Sequence, residues 1–346
     1  MTTAVVICPG RGTYNATELG SLARHFPDAG LLARFDTARE AAGQPSLTAL
    51  DGAARFSLST HSRGDNASAL IYAATLGDFL SIDRDAIDIV AVTGNSMGWY
   101  SALACAGALT PEDGFAVANT MGTLMQQALI GGQVIHPWVD DDWVPKPSRR
   151  DALLAVVADI ATRAGHVLTL SIDLGGMLVL AGNEAGLAAF ERAVEPTQGR
   201  FPMRLANHAG FHSALQAPVA AQGRAALPAR LFTQPRLPLI DGRGAVWWPG
   251  ATDTQALWDY TLGHQVTETY DFTRAITVAT REFAPDLFIV TGPGTTLGGA
   301  VAQSLIAANW RGMADKASFK TIQDNTPVLL SMGMQTQREL TTGKIA

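Results

Sequence analysis

The stretch that decides the fold is residues 89–100, which read Ile89-Val90-Ala91-Val92-Thr93-Gly94-Asn95-Ser96-Met97-Gly98-Trp99-Tyr100. It begins with a short β-branched apolar run, typical of a parallel strand that is covered on both faces. Residues 94–98 then fit the pattern G-x-S-x-G, in which a serine stands on a sharp turn between a strand and a helix. The glycines permit that turn because they carry no Cβ. The pattern favours a nucleophilic Ser96 over a serine that only caps a helix.

Good helix formers follow at residues 101–106, so Ser96 is expected at the N-terminus of a helix. Backbone N–H groups and the helix dipole favour negative charge there, and an oxyanion that forms beside Ser96 would be such a charge.

Length and composition limit the classes of protein to consider. The 346 residues suit one large domain with an inserted piece, or two domains, and the formal net charge is −6. There is no basic footprint for nucleic acid, and no apolar run is long enough for a membrane span. Cys8 and Cys105 are too few and too far apart for a disulfide scaffold or a metal site. The first residues lack the features of a signal peptide, so a soluble cytoplasmic protein is expected.

A second loop is expected beside Ser96. Residues 3–8 read as a buried first strand, and the glycine-rich loop Pro9-Gly10-Arg11-Gly12-Thr13-Tyr14 follows it. The spacing is neither G-x-G-x-x-G nor that of a phosphate-binding P-loop, which argues against a nucleotide. In serine hydrolases of this architecture one oxyanion donor follows the nucleophile, and another comes from a loop after a different strand. The backbone N–H groups of Met97 and Arg11 would fill those two roles.

The middle of the chain changes character after Gly131-Gly132. Residues 133–206 read as strand, helix, strand, strand, helix, strand, which is the order of a ferredoxin-like α+β unit. We therefore expect a small ferredoxin-like subdomain at 133–206. The remaining segments, 1–132 and 207–346, are expected to form a discontinuous α/β hydrolase-like catalytic domain with a mostly parallel sheet. The polar tail beyond about Ser331 is expected to be loosely held.

A serine hydroxyl is a weak nucleophile at neutral pH and needs a neighbouring base. Of the seven histidines, His208 and His212 lie in the loop by which the chain re-enters the large domain, where site residues concentrate. His264 lies in a glycine-containing break. The residue types alone leave these three histidines open.

Taken together, these motifs resemble the malonyl-CoA:acyl-carrier-protein transacylases and the acyltransferase domains of polyketide synthases. The family motif P-G-Q-G-S is matched by Pro9-Gly10-Arg11-Gly12-Thr13, and the motif G-H-S-x-G-E-Y is matched by Gly94-Asn95-Ser96-Met97-Gly98-Trp99-Tyr100. The motif R-G-x-L-M-Q is matched by Met121-Gly122-Thr123-Leu124-Met125-Gln126, and the loop of the catalytic histidine by residues 208–215. The motif Q-L is matched by Gln265-Val266, and the motif G-P-G-x-x-L by residues 292–297. They follow the family's order from residue 9 to about residue 300.

The resemblance implies a Ser–His dyad. Ser96 would attack an acyl-CoA thioester, His212 would take its proton, and the backbone carbonyl of Gln265 would orient the histidine. The acyl group would pass to the phosphopantetheine thiol of an acyl carrier protein, in fatty-acid or polyketide synthesis. The resemblance implies no permanently bound cofactor and no metal. A hydrolase of the same fold would differ only in using water as the acceptor, and a non-catalytic scaffold is disfavoured by the intact Ser96 and His212.

Departures from the family pattern concern the acyl pocket, to which we assign Met121, Asn95, Trp99 and Phe211. The arginine that pairs with the malonyl carboxylate in the family falls at Met121, and methionine cannot pair with a carboxylate. Either the acyl group is neutral, or Arg11 reaches inward and replaces the lost guanidinium. Phe211 resembles the malonyl-type sequences and slightly favours the second explanation. On the charge at position 121 we favour a neutral acyl group.

Overall fold

The computed structural model describes residues 1–343 and folds them into an α/β arrangement with two mixed sheets. The strands are β1 (Thr2–Cys8), β2 (Ile87–Gly94), β3 (Gly132–Pro137), β4 (Leu168–Leu174), β5 (Met177–Gly182), β6 (Met203–Arg204), β7 (Leu239–Ile240), β8 (Val246–Trp247), β9 (Tyr270–Asp271), β10 (Leu287–Val290) and β11 (Leu329–Ser331). A six-stranded sheet has the order β11-β10-β1-β2-β7-β8, and a five-stranded sheet has the order β6-β3-β5-β4-β9. The predicted α/β class is confirmed.

Helices make up most of the remaining chain. The α-helices are α1 (Ser21–His25), α2 (Ala29–Ala41), α3 (Leu47–Asp51), α4 (Leu58–His61), α5 (Gly64–Ser81), α6 (Gly98–Cys105), α7 (Pro111–Ala128), α8 (Pro147–Ala161), α9 (Glu184–Ala193), α10 (Ala217–Ala226), α11 (Thr254–Asp259), α12 (Gln265–Thr267), α13 (Phe272–Glu282), α14 (Leu297–Ala307), α15 (Lys316–Asn325) and α16 (Gln335–Thr342). A π-helical turn at Tyr260–His264 joins α11 to α12. Within residues 1–343, no helix combines the length and the apolar character needed to cross a membrane.

The six-stranded sheet places two loops side by side. Strands β1 and β2 are parallel, and their register ends with Cys8 opposite Gly94. The β1 residues from Ala4 to Cys8 are completely buried, as expected for a parallel strand that is covered on both faces. Because parallel strands end at the same sheet edge, the loop after β1 lies against the turn after β2. This edge holds the candidate site.

The five-stranded sheet has the predicted order of elements, with β3, α8, β4, β5, α9 and β6 following one another. Its pairs are antiparallel except for β4 with β9. The last strand of the predicted unit contains only Met203–Arg204, and Pro202 just before it has no N–H to donate to a ladder. Strand β9 joins this sheet from the segment after residue 206. The division into domains at residues 133 and 206 stays a prediction.

The end of the chain differs from the expectation of a loosely held tail. Helix α16 docks through Arg338, which is only 9% exposed. Its guanidinium lies 2.5 Å from Asp78 on α5 and donates to the carbonyl of Met332. The expectation was wrong for residues 335–342 because a polar sequence can still bury one well-paired cation. The part of it that concerns residues 344–346 lies outside the described residues.

Candidate active site

The turn between β2 and α6 holds Ser96 in a left-handed backbone conformation, with φ of 56°. This conformation is uncommon for a residue other than glycine. The two neighbouring glycines make the turn possible by close backbone approach. A Cβ on Gly94 would lie 2.3 Å from the carbonyl carbon of Gly98, and a Cβ on Gly98 would lie 2.1 Å from the carbonyl oxygen of Cys8. The serine is therefore presented at the carboxyl edge of the sheet.

His212 lies against this serine. Its Nε2 is 2.7 Å from Ser96 Oγ, and its Nδ1 is 2.6 Å from the backbone carbonyl oxygen of Gln265. A carbonyl oxygen can only accept, so Nδ1 carries the proton and Nε2 is left to accept from the serine hydroxyl. Burial lowers the pKa of His212 to about 4, although the hydrogen bond to Gln265 acts in the other direction. The imidazole is thus neutral near pH 7, as a general base must be.

The other two histidine candidates lie elsewhere. His208 is hydrogen-bonded through Nδ1 to the Gln133 side chain, and burial, with a smaller contribution from Arg11, lowers its pKa to about 3. His264 stacks on Tyr260 with the ring centroids 5.6 Å apart. The predicted glycine break at His264 is a π-helical turn that continues into α12.

The side chain of Gln265 forms hydrogen bonds with two residues of the Ser96 turn and the helix that follows it. Its Nε2 donates to the backbone carbonyl of Ser96 at 3.0 Å, and its Oε1 accepts from the Tyr100 hydroxyl at 3.2 Å. The Tyr270 hydroxyl donates to the Gly94 carbonyl at 2.6 Å. Its ring packs beside the His212 ring, 5.4 Å away. Neither tyrosine was predicted as a site residue, although Tyr100 follows Trp99 in the same motif.

Two backbone N–H groups flank Ser96. Met97 precedes the first turn of α6, and the Gly10 backbone is so close that an added Cβ would lie 3.5 Å from Ser96 Cβ. Within residues 1–343, neither the Met97 nor the Arg11 amide N–H donates a hydrogen bond. Free N–H groups at a helix start and an adjoining loop can accept an oxyanion as ligand.

Two cavities meet at Ser96. The inner cavity offers about 20 Å³ to the centre of a water-sized sphere, and it is lined by Arg11, Ser68, Ser96, Met97, Tyr100, Gly122, Met125, Phe211, His212, Gln265 and Val266. The outer cleft offers about 330 Å³ and runs between the two sheets, with lining residues from the loop after β1, from β3, β4, β5 and β6, and from α14. Ser96, Arg11 and Phe211 line both.

The four residues assigned to the acyl pocket have different surroundings. Phe211 lines both cavities, and Asn95 lines the outer cleft. Trp99 and Met121 line neither cavity, and their assignment to the acyl pocket stays a prediction. The Trp99 indole N–H donates to Thr261 Oγ1 at 3.0 Å.

Met121 is fully buried and turned toward α10. A Cβ on Gly223 would lie 2.5 Å from its sulfur, so the thioether occupies the space that a side chain at position 223 would need. The next residue on α7, Gly122, and the residue one turn further, Met125, face the inner cavity instead.

Metal ligation has no support in the part of the chain that the structure describes. Residues 1–343 contain no group of three or more His, Cys, Asp or Glu side chains that could hold a metal ion.

Comparison with known proteins gives the relatives of this chain. No family model matches it. It is 25% identical over 211 residues to the malonyl-CoA–acyl carrier protein transacylase of Salmonella typhimurium, covering 60% of this chain and 63% of that protein. It is 25% identical over 248 residues to the Bacillus subtilis protein of the same name, covering 71% of each. The chain is similar in sequence to the malonyl-CoA–acyl carrier protein transacylases. The predicted resemblance is confirmed.

Solved structures of this transacylase family share the fold over nearly the whole chain. The acyl-carrier-protein S-malonyltransferase of Burkholderia pseudomallei superposes with a TM-score of 0.74 at 21% identity, covering 99% of this chain and 100% of that one. The malonyl-CoA:acyl carrier protein transacylase of Xanthomonas oryzae gives 0.76 at 20% identity, with 99% and 98% covered. A malonyl transacylase solved in complex with its type II polyketide-synthase acyl carrier protein gives 0.75 at 18% identity, with 99% and 100% covered.

Proposed function

We propose that this protein transfers an acyl group from coenzyme A to the phosphopantetheine thiol of an acyl carrier protein, through an ester on Ser96. The observation that carries the proposal is the chain of contacts from Ser96 Oγ to His212 Nε2, and from His212 Nδ1 to the Gln265 carbonyl oxygen. A neutral imidazole held in this tautomer is a base for the serine hydroxyl.

In the first half-reaction Ser96 Oγ attacks the thioester carbonyl while His212 Nε2 takes the hydroxyl proton. The backbone N–H groups of Met97 and Arg11 bind the oxyanion. The carbon–sulfur bond then breaks, and the leaving thiolate of coenzyme A receives the proton from His212. The product is an acyl ester on Ser96.

In the second half-reaction the carrier thiol gives its proton to His212 and attacks the ester carbonyl. The carbon–oxygen bond to Ser96 breaks, and the serine takes the proton back. The outer cleft, which Ser96 helps to line, would receive the long phosphopantetheine arm that both substrates share. The reaction would serve fatty-acid or polyketide synthesis.

The proposal also includes two structural features, a nucleophile elbow and an inserted subdomain. Residues 94–98 act as a nucleophile elbow, which the positive φ of Ser96 and the tight glycine contacts support. Residues 133–206 form a ferredoxin-like subdomain inserted between 1–132 and 207–346. Its order of strands and helices supports this division, and strand β9 attaches it to the second segment.

The experiment mixes the protein with an acyl-CoA and a carrier protein, then separates the products by mass. Acyl-carrier protein is the expected product, and it should be lost in Ser96→Ala and with a carrier that lacks phosphopantetheine. Free acid in place of acyl-carrier protein would identify an acyl hydrolase of the same fold. Recovery of unchanged acyl-CoA would contradict the proposal.

A further inference from the structure

Arg11 is the one permanently charged residue among those that line the inner cavity, all of which belong to the described part of the chain. Its Nη2 donates to the backbone carbonyls of Ser62 and Asn207, each at 2.9 Å. Its guanidinium carbon lies 5.3 Å from the centre of the Phe211 ring. The guanidinium is therefore held in one place by groups that carry no negative charge.

One end of this guanidinium has no partner. Arg11 Nη1 is shielded from solvent and makes no hydrogen bond within residues 1–343. It lies beside the start of α5, where a Cβ on Gly64 would be 3.4 Å away. A buried donor without a partner is costly, and more so when it carries charge.

The surroundings leave this positive charge unbalanced. Burial lowers the pKa of Arg11 to about 10, so the guanidinium stays protonated near pH 7. The nearest acidic influence is Asp65, but its carboxylate forms an ion pair with Arg63 at 2.9 Å. Burial holds His208 and His212 neutral. The charge of the Arg11 guanidinium therefore favours the binding of an anion beside it.

Ser96 and Arg11 line the same small space, so the anion would belong to the group carried by Ser96. The inner cavity offers only about 20 Å³ to the centre of a water-sized sphere, so it has no room for a long acyl chain. We propose that Arg11 Nη1 binds the free carboxylate of a short dicarboxylic acyl group, of malonyl size, during its transfer through Ser96. This proposal rests on the proposed function and names its substrate class.

The anchor thus comes from the loop after β1 and not from α7. Met121, which stands where the related family carries an arginine, is packed against Gly223 and leaves the cavity free for Arg11. The residue at position 121 therefore does not decide the charge of the acyl group, because the cation enters the cavity from another element.

The test measures the rate of Ser96 acylation by three thioesters: malonyl-CoA, acetyl-CoA and malonamyl-CoA, in which a neutral carboxamide replaces the carboxylate. The wild-type protein should prefer malonyl-CoA to each neutral thioester by roughly 10- to 100-fold, the worth of one or two hydrogen bonds to charged groups. In Arg11→Gln this ratio should fall to about 1, and in Arg11→Lys it should be intermediate. Arg163→Gln is the matched control and should keep the wild-type ratio, because Arg163 lines neither cavity and forms only an exposed ion pair with Asp159.

Ratios are read within one protein sample, so a partly unfolded variant does not bias them. If Arg11→Gln cannot be obtained folded, the wild-type ratio of malonyl-CoA to malonamyl-CoA decides alone. Equal acylation of Ser96 by all three thioesters, or an unchanged ratio in Arg11→Gln, would overturn the role of Arg11 and leave the proposed function standing. Absence of a Ser96 ester with every thioester would overturn the proposed function itself.

Discussion

His212 Nδ1 lies 2.6 Å from the backbone carbonyl oxygen of Gln265. A neutral carbonyl thus occupies the place where many serine enzymes have a carboxylate. It fixes the tautomer of the imidazole, but it offers less stabilisation to an imidazolium than a full negative charge would. Because a carbonyl belongs to the main chain, no side-chain substitution at position 265 removes it.

The first prediction concerns His212 as the base. His212→Ala should slow acylation of Ser96 by about 100- to 10,000-fold. Since the pKa of His212 is lowered to about 4, the wild-type rate should be level from pH 8 to pH 5 and fall only as pH approaches 4, where Nε2 becomes protonated. Rapid-quench measurements across this range test the profile, with His264→Ala as control. A rate that halves near pH 6.5 would indicate a base with an ordinary pKa.

The second prediction concerns acid stability. The pKa values of His208 and His212 are about 3 and 4 in the fold and rise toward 6.5 on unfolding, so the unfolded chain binds more protons between those limits. Stability should therefore fall with pH below 6.5, by about 2 kcal/mol for each histidine between pH 7 and pH 5. Asp78, whose pKa burial raises to about 6, opposes this by roughly 1 kcal/mol. His25, His136 and His264, whose pKa values burial also lowers, act in the same direction as His208 and His212. Urea denaturation at the two pH values measures the sum of all these groups, and His212→Gln should show a smaller drop. A stability that rises on acidification would contradict the neutral state of both histidines.

The third prediction concerns the turn at Ser96. Gly98→Ala places a methyl group 2.1 Å from the Cys8 carbonyl oxygen, which is backbone and cannot step aside. The substitution should lower the free energy of unfolding by about 1–3 kcal/mol or more and displace Ser96. Gly299→Ala is the matched control. No atom lies within 4 Å of its new methyl group, and alanine in α14 should stabilise the helix by up to about 1 kcal/mol. Equal effects of the two substitutions would contradict the close approach of β1 to this turn.

The fourth prediction concerns the docking of α16. Arg338→Met leaves the Asp78 carboxylate buried without its cation and should cost about 3–5 kcal/mol. The double variant Asp78→Asn/Arg338→Met should cost less than the two single changes added together. Arg34→Met removes an exposed ion pair with Glu112 and should cost less than about 1 kcal/mol. Additive single and double effects in denaturant titrations would rule out coupling between Asp78 and Arg338.

The sequence was informative where the signal is local. The run from Ile89 to Gly98 predicts strand, turn and helix, and the structure has β2 ending at Gly94 and α6 beginning at Gly98. The residue types did not select among the three histidines. Only the resemblance selected His212, because the loop that carries it is brought to Ser96 by contacts between distant segments.

The surroundings of the site depend on such distant contacts throughout. The direction of the Met121 side chain is set by a glycine on α10, and the place of Arg11 in the inner cavity is set by the carbonyls of Ser62 and Asn207. Strand β9 is too short to have a pattern of its own and forms because β4 presents a free edge. None of these relations leaves a periodic trace along the chain.

The central claim is that Ser96 carries the acyl group with His212 as its base. Its most direct test is intact-protein mass spectrometry after brief mixing with malonyl-CoA or acetyl-CoA, followed by peptide mapping. The account predicts one acyl adduct on the peptide that contains Ser96, absent in Ser96→Ala and much slower to form in His212→Ala. An adduct of the same mass and rate in Ser96→Ala would contradict it.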